Sequence, residues 1–176
     1  FEDFILLFMR SSNAENYEIS RNVLMNIFKA FDPTGKGAVY FPAFATGMTV
    51  LSGGSKSHKL DVGFKLFDGD GVGYLSSLEL SSFLESYLKT INALSNSSSI
   101  SDDVIEGSCY SLACSICGSE PHADFASFSG WYNAGGHQEA SWIELIDLAK
   151  WIDMPNGATG QPYHAQHAPV GSASLD

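Results

Sequence analysis

Apolar positions recur along this chain with a period near 3.6, and short clusters of Asp and Gly interrupt them at matching places. Phe1, Phe4, Ile5, Leu7 and Phe8 give segment 1–10 one apolar face. After a polar stretch from Ser11 to Tyr17, Leu24, Ile27, Phe28 and Phe31 line one face of a predicted helix over 19–31. Asp32-Pro33-Thr34-Gly35-Lys36-Gly37 breaks it with strong turn chemistry. A β-prone piece, Val39-Tyr40-Phe41, opens another helix that runs to about Leu51 and ends at Ser52-Gly53-Gly54-Ser55. The same order then returns. Leu60, Phe64 and Phe67 form a face, Asp68-Gly69-Asp70-Gly71 breaks it, Tyr74-Leu75 is extended, and Leu80, Phe83, Leu84, Tyr87 and Leu88 line the next helix.

Sliding the chain so that Asp32 meets Asp68 brings Leu24 onto Leu60, Phe28 onto Phe64, Phe31 onto Phe67 and Gly37 onto Gly73. This is an internal repeat of helix–loop–helix type. Weaker copies flank it. Phe1-Glu2-Asp3-Phe4 and Phe125-Ala126-Ser127-Phe128, the latter followed by Trp131 and Tyr132, both compare with Phe41-Pro42-Ala43-Phe44. Ser101 is placed to cap a helix running to about Ile116, behind a flexible Ser-rich linker at 93–100. Ser141-Trp142-Ile143-Glu144 has the spacing of a capping box. It predicts a C-terminal helix within 137–152, with Trp142, Leu145, Ile146 and Ala149 on one face. The tail 153–176 is rich in Pro, Gly, Ala and His without periodicity, and is expected to be extended or disordered.

The repeat's loops carry the chemistry. A twelve-residue calcium loop places oxygen ligands at positions 1, 3, 5, 7, 9 and 12, Gly at position 6, and a bidentate acid at position 12. Asp68-x-Asp70-x-Val72-Gly73-Tyr74-Leu75-Ser76-x-x-Glu79 resembles this EF-hand loop. Within that calmodulin-like superfamily, Gly47-Met48-Thr49-Val50-Leu51-Ser52-Gly53-Gly54-Ser55 with Lys59-Leu60 is similar to the neuronal calcium sensor and calcineurin-B-like branch. The resemblance covers 19–92 well and 1–10 and 101–132 loosely, and leaves out the tail. It implies an all-α fold of paired EF-hand units with short two-stranded loop pairings. The expected organisation is a pair over 1–92 (remnant 1–10, degenerate unit 19–53, best unit 57–92), a degenerate unit over 101–136, and the C-terminal helix.

The same resemblance implies one weak calcium site. Asp68 and Asp70 would give carboxylate oxygens, Tyr74 its carbonyl, Ser76 a direct or water-mediated contact, and Glu79 two oxygens. Val72 departs from the pattern because it has no side-chain oxygen at position 5, which moves affinity toward the weaker end of the range. In the first loop Lys36 occupies position 5 and Ala43 position 12, so it is expected to be structural, with Val39 pairing with Leu75 across the loops. In the last unit Gly118-Ser119-Glu120-Pro121-His122 stands where acids would be, and Ser127 takes the bidentate position.

Charged residues make up only 16% of the chain and the net charge is -11. The first value suggests that part of the surface is covered by something else. The second argues against nucleic acid, which needs Lys and Arg clusters, and suits divalent cations or a basic partner. The sequence opens on Phe1 rather than Met, as a fragment or processed product would. No signal-peptide pattern or membrane-spanning run is present. Three cysteines cannot all pair with one another, which suits a reducing, cytoplasmic compartment. Cys109, Cys114 and Cys117 have the opening spacing of a ferredoxin cluster but lack its fourth thiolate. With His122 they could make a Cys3His zinc set, whereas the plain reading makes Cys109 a small apolar residue beside Ile105, Leu112 and Ile116.

No catalytic arrangement stands out, so no enzyme activity is expected. The sequence supports a calcium-responsive module that grips a partner's amphipathic helix in an EF-hand groove lined by Phe44, Phe83, Phe128 and Trp131. The alternative is a structural or scaffold subunit that kept the frame and lost the ions.

Overall fold

The computed structural model describes residues 17–95 and 100–147. Segment 1–10, residues 96–99 of the linker, Ala149 and the tail 153–176 lie outside the described residues.

Helices α1 (Tyr17–Phe31) and α2 (Phe41–Met48) flank the first loop, and α2 closes in a 3-10 turn at Thr49–Leu51. Pro42 suits the first turn of α2, where its missing N–H would have found no helical partner anyway. Helix α3 (Lys56–Phe67) starts at Ser55, whose hydroxyl accepts the His58 N–H. Strand β1 (Leu75–Ser76) leads into α4 (Ser77–Leu94), where Ser76 and Glu79 form a reciprocal capping box. Helix α5 (Asp102–Cys117), strand β2 (His122–Ala123) and α6 (Phe125–Trp131) build the last loop unit. A π-type turn at Tyr132–Gly136 and the single turn α7 (His137–Glu139) carry the chain into a 3-10 strap, Ser141–Ile146. The fold is all-α with one very short antiparallel pairing, as expected.

That pairing corrects one expectation. Leu75 faces Ala123 and Ser76 faces His122, so the best loop pairs with the last unit and not with Val39. The reason is burial. Leu75 and Ala123 are both enclosed in a core shared by α3, α4, α5 and α6, whereas residues 38–40 form no strand. Phe83 of α4 sits at the centre of this core. It makes edge-on ring contacts with Phe64 (6.0 Å), Tyr87 (5.4 Å) and Phe128 (5.9 Å). Two glycines let helices approach closely: a Cβ on Gly63 would lie 2.4 Å from the Tyr87 hydroxyl, and one on Gly47 would lie 2.3 Å from Thr90 Oγ1.

The strap is the second correction. The capping box expected at Ser141 and Glu144 does not form; Glu144 turns instead to Lys56 and Tyr132. Its tighter winding repeats every three residues, so Ala140, Ile143 and Ile146 are the fully buried set, while Trp142 and Leu145 are only half-buried. The strap packs against α4 and α3 and joins the main core.

Candidate metal centre

The loop from Asp68 to Glu79 begins where α3 stops. Both Asp68 carboxylate oxygens accept the Gly73 N–H, at 3.0 and 3.2 Å, and the Asp68 carbonyl accepts the Gly71 N–H at 3.1 Å. This closure needs positive φ at Gly71 (71°) and Gly73 (84°), a region that a Cβ disfavours. Asp70 Oδ1 accepts the Val72 N–H at 3.4 Å. At the far end, Glu79 Oε2 accepts the Ser76 N–H (2.9 Å) and the Ser76 hydroxyl (2.7 Å). Asp70, Tyr74 and Glu79 are exposed, and so is Val72, at 58%.

Asp70, Val72, Tyr74 and Glu79 border one polar cleft of about 250 Å³, together with Phe67 and His122. His122 enters from the paired strand, opposite Ser76. Sequence reasoning placed His122 in a possible zinc set with the cysteines and not at this cleft, although the register of the last unit would have pointed here once that unit was chosen as the partner. Among the described residues, no three His, Cys, Asp or Glu side chains are gathered closely enough to hold an ion. The donor set is all oxygen and suits a hard divalent cation. Gathering it requires Glu79 to leave the Ser76 cap. Asp68, Asp70, the Tyr74 carbonyl, Ser76 and Glu79 could then converge, and Val72 could contribute nothing.

The first loop repeats the closure without the chemistry. Asp32 accepts the Lys36 N–H (3.0 Å), the Gly37 N–H (2.7 Å) and the Thr34 hydroxyl (3.3 Å), with Gly35 and Gly37 at positive φ. In the last unit the strand register puts Ser127 at the twelfth position and Ile116 at the first. Ile116 is buried and still inside α5. Asp124 caps α6, accepting the Ser127 N–H at 2.7 Å, and hydrogen bonds from Ser127 hold its carboxyl below the usual range.

Beside the loop unit, two lysines fasten the strap; the sequence marked Lys59 only as part of a family-like phrase and Lys56 not at all. Lys56 donates to Glu144 and to the Tyr132 hydroxyl (2.8 Å), and its ammonium lies over the Tyr132 ring. Lys59 is buried. Its ammonium donates to the carbonyls of Val50 (2.9 Å) and Ile146 (3.0 Å), and burial lowers its pKa, partly offset by Asp147.

Comparison with known proteins finds calcium-binding relatives. The chain is 32% identical over 65 residues to the calcium-binding protein NCSA of Dictyostelium discoideum, covering 37% of this chain and 35% of that one. It is 37% identical over 70 residues to the calcineurin B protein of Naegleria gruberi, covering 39% and 40%. To guanylyl cyclase-activating protein 2 of Gallus gallus it is 29% identical over 86 residues, covering 49% and 43%. The chain thus spans less than half the length of these curated relatives. No family model matches it, and no solved structure matches it significantly. The likeness to EF-hand calcium sensors of the neuronal calcium sensor and calcineurin-B-like branch holds, and the relatives are calcium-binding and regulatory proteins.

Proposed function

We propose that this chain is a calcium-responsive protein-interaction module with one ion loop, Asp68–Glu79, acting as a regulatory and not a catalytic component. The observation that carries this reading is the position of Glu79. Its carboxylate belongs both to the loop and to the first turn of α4, the helix at the centre of the core. Calcium supplies a divalent charge at the loop centre. Drawing Glu79 toward Asp68 and Asp70 breaks its two contacts with Ser76 and halves the cap of α4, and this couples the ion to the seat of that helix. A hand-over between two sets of partners is the elementary form of a switch.

The groove expected at Phe44, Phe83, Phe128 and Trp131 is not open, because Phe83 and Phe128 are buried in the core; the partner surface is instead a cleft of about 440 Å³ lined by Leu88, Val104, Ile105, Leu112 and Trp142, with Ile100 at one end. Glu139 of α7 also lines it. Its occupant is an amphipathic helix of another protein whose apolar face meets this lining, and the chain's net charge of -11 favours a basic one. The strap lies at the edge of this cleft through Trp142. Three free cysteines fit a reducing compartment such as the cytoplasm.

The scaffold reading keeps one specific support. Two of the loops lack the bidentate acid, and Asp32 and Asp68 both spend their carboxylates on the same backbone closure. Amide NMR during a calcium titration separates the two. The sensor predicts shifts at Gly73, Ser76 and Glu79 that saturate, and their loss in Glu79→Gln. Unchanged spectra at millimolar calcium would leave the scaffold.

A further inference from the structure

Helix α5 ends in two thiols one turn apart, Cys114 and Cys117, followed at once by Gly118. Cys114 is exposed and Cys117 is buried. Side chains three apart on a helix are neighbours, with Cβ atoms roughly 5–6 Å apart. A disulfide requires about 3.8 Å. The two sulfurs can therefore join only if the last turn of α5 deforms. That turn is closed by the Gly118 N–H on the Cys114 carbonyl (2.9 Å), and Gly118 has φ 59° and ψ -119°, which breaks the helix. Just beyond, the Glu120 N–H bonds the Cys117 carbonyl at 3.0 Å, and the chain enters β2, whose Ala123 faces Leu75 in the candidate ion loop.

We propose that Cys114 and Cys117 are a redox-active dithiol that closes to a disulfide by exchange with a small oxidised thiol, and that closure displaces β2 and, through Ala123 and Leu75, the loop Asp68–Glu79. The Cys114 thiolate attacks one sulfur of the small disulfide and expels its other half as a thiolate, leaving a mixed disulfide on Cys114. The Cys117 thiolate then attacks the Cys114 sulfur and expels the second half. The protein loses two electrons and two protons, and the small disulfide gains them as two free thiols. Exposure makes Cys114 the first nucleophile, because exchange needs access and a thiolate. Burial pushes the Cys117 thiol up, with the neighbouring Cys114 adding to the effect, which disfavours its thiolate; Cys117 acts second because the mixed disulfide on Cys114 then stands one turn away from it. Cys109, buried a turn earlier with its thiol pushed up to about 12, is the inert internal control.

The test uses the full chain with glutathione disulfide in chelator, so it does not depend on the calcium reading. Intact mass spectrometry should show loss of two hydrogens, reversed by dithiothreitol. Cys117→Ser should stop at the glutathione adduct, Cys114→Ser should stay unmodified, and Cys109→Ser should match the parent. Amide NMR should show shifts at Gly118, Ala123 and Leu75 on oxidation. The dithiol is overturned if the parent accumulates only the adduct, or if Cys114→Ser reacts as the parent does. The coupling is overturned if the disulfide forms and the Leu75 and Ala123 amides do not move.

Discussion

Glu79 accepts two hydrogen bonds from Ser76, and in the ion-bound loop proposed above it would have to give them up. Glu79→Gln keeps much of the cap but removes the charge. Calorimetry should therefore show loss of most calcium affinity with little change in melting temperature in chelator. Val72 stands exposed at the ligand position that lacks an oxygen, so Val72→Asp should tighten binding in the same assay. The glycines at position 6 were legible from the repeat alone. Gly37 (φ 75°) and Gly73 (φ 84°) adopt the backbone that every such loop needs there. No atom crowds a Cβ at either position, so the penalty of Gly37→Val or Gly73→Val comes from the backbone alone. It should exceed roughly 1 kcal/mol in denaturant melts.

Among the elements, the strap was the hardest to read. Its composition fits an amphipathic α-helix, and Trp142 and Leu145 look like anchors at that period. The chain winds more tightly because the Ile146 carbonyl is drawn to the Lys59 ammonium and the Glu144 side chain to Lys56. Both partners lie far upstream, so no local pattern reveals them. Burial now ranks the substitutions. Ile146→Ala should destabilise by about 2–5 kcal/mol, and Trp142→Ala by clearly less. A chain ending at Gly136 should melt well below the parent, because Ile143 and Ile146 belong to the main core. Asp124 makes a pH-dependent contribution. Hydrogen bonds from Ser127 depress its carboxyl pKa in the folded state, so its stabilisation is complete above the ordinary carboxylate pKa and is lost as pH falls through the depressed value. Asp124→Asn should keep the cap and flatten that acid limb of the stability profile, as followed by thermal melts from pH 7 downward.

For the whole molecule, the sequence revealed the units and not their partnership. The repeat linked Asp32 with Asp68, and neighbours in sequence looked like neighbours in space. The decision lay in which unit could complete the core around Phe83, and α5 and α6 do so with Ile105, Leu112, Ile116 and Phe128. Calcium that binds only the folded chain should raise its melting temperature, by an amount equivalent to about 2.7 kcal/mol at a hundred times Kd. Glu79→Gln should abolish that rise, which differential scanning calorimetry would show. Val72 also bears on time. An ion meeting an acidic loop arrives at roughly 10⁸ M⁻¹s⁻¹, so a loop that binds at about 10⁻⁵ M releases it within about a millisecond. The side chain missing an oxygen would then set a clock, letting the module follow brief calcium transients and forget them before a tighter loop had emptied.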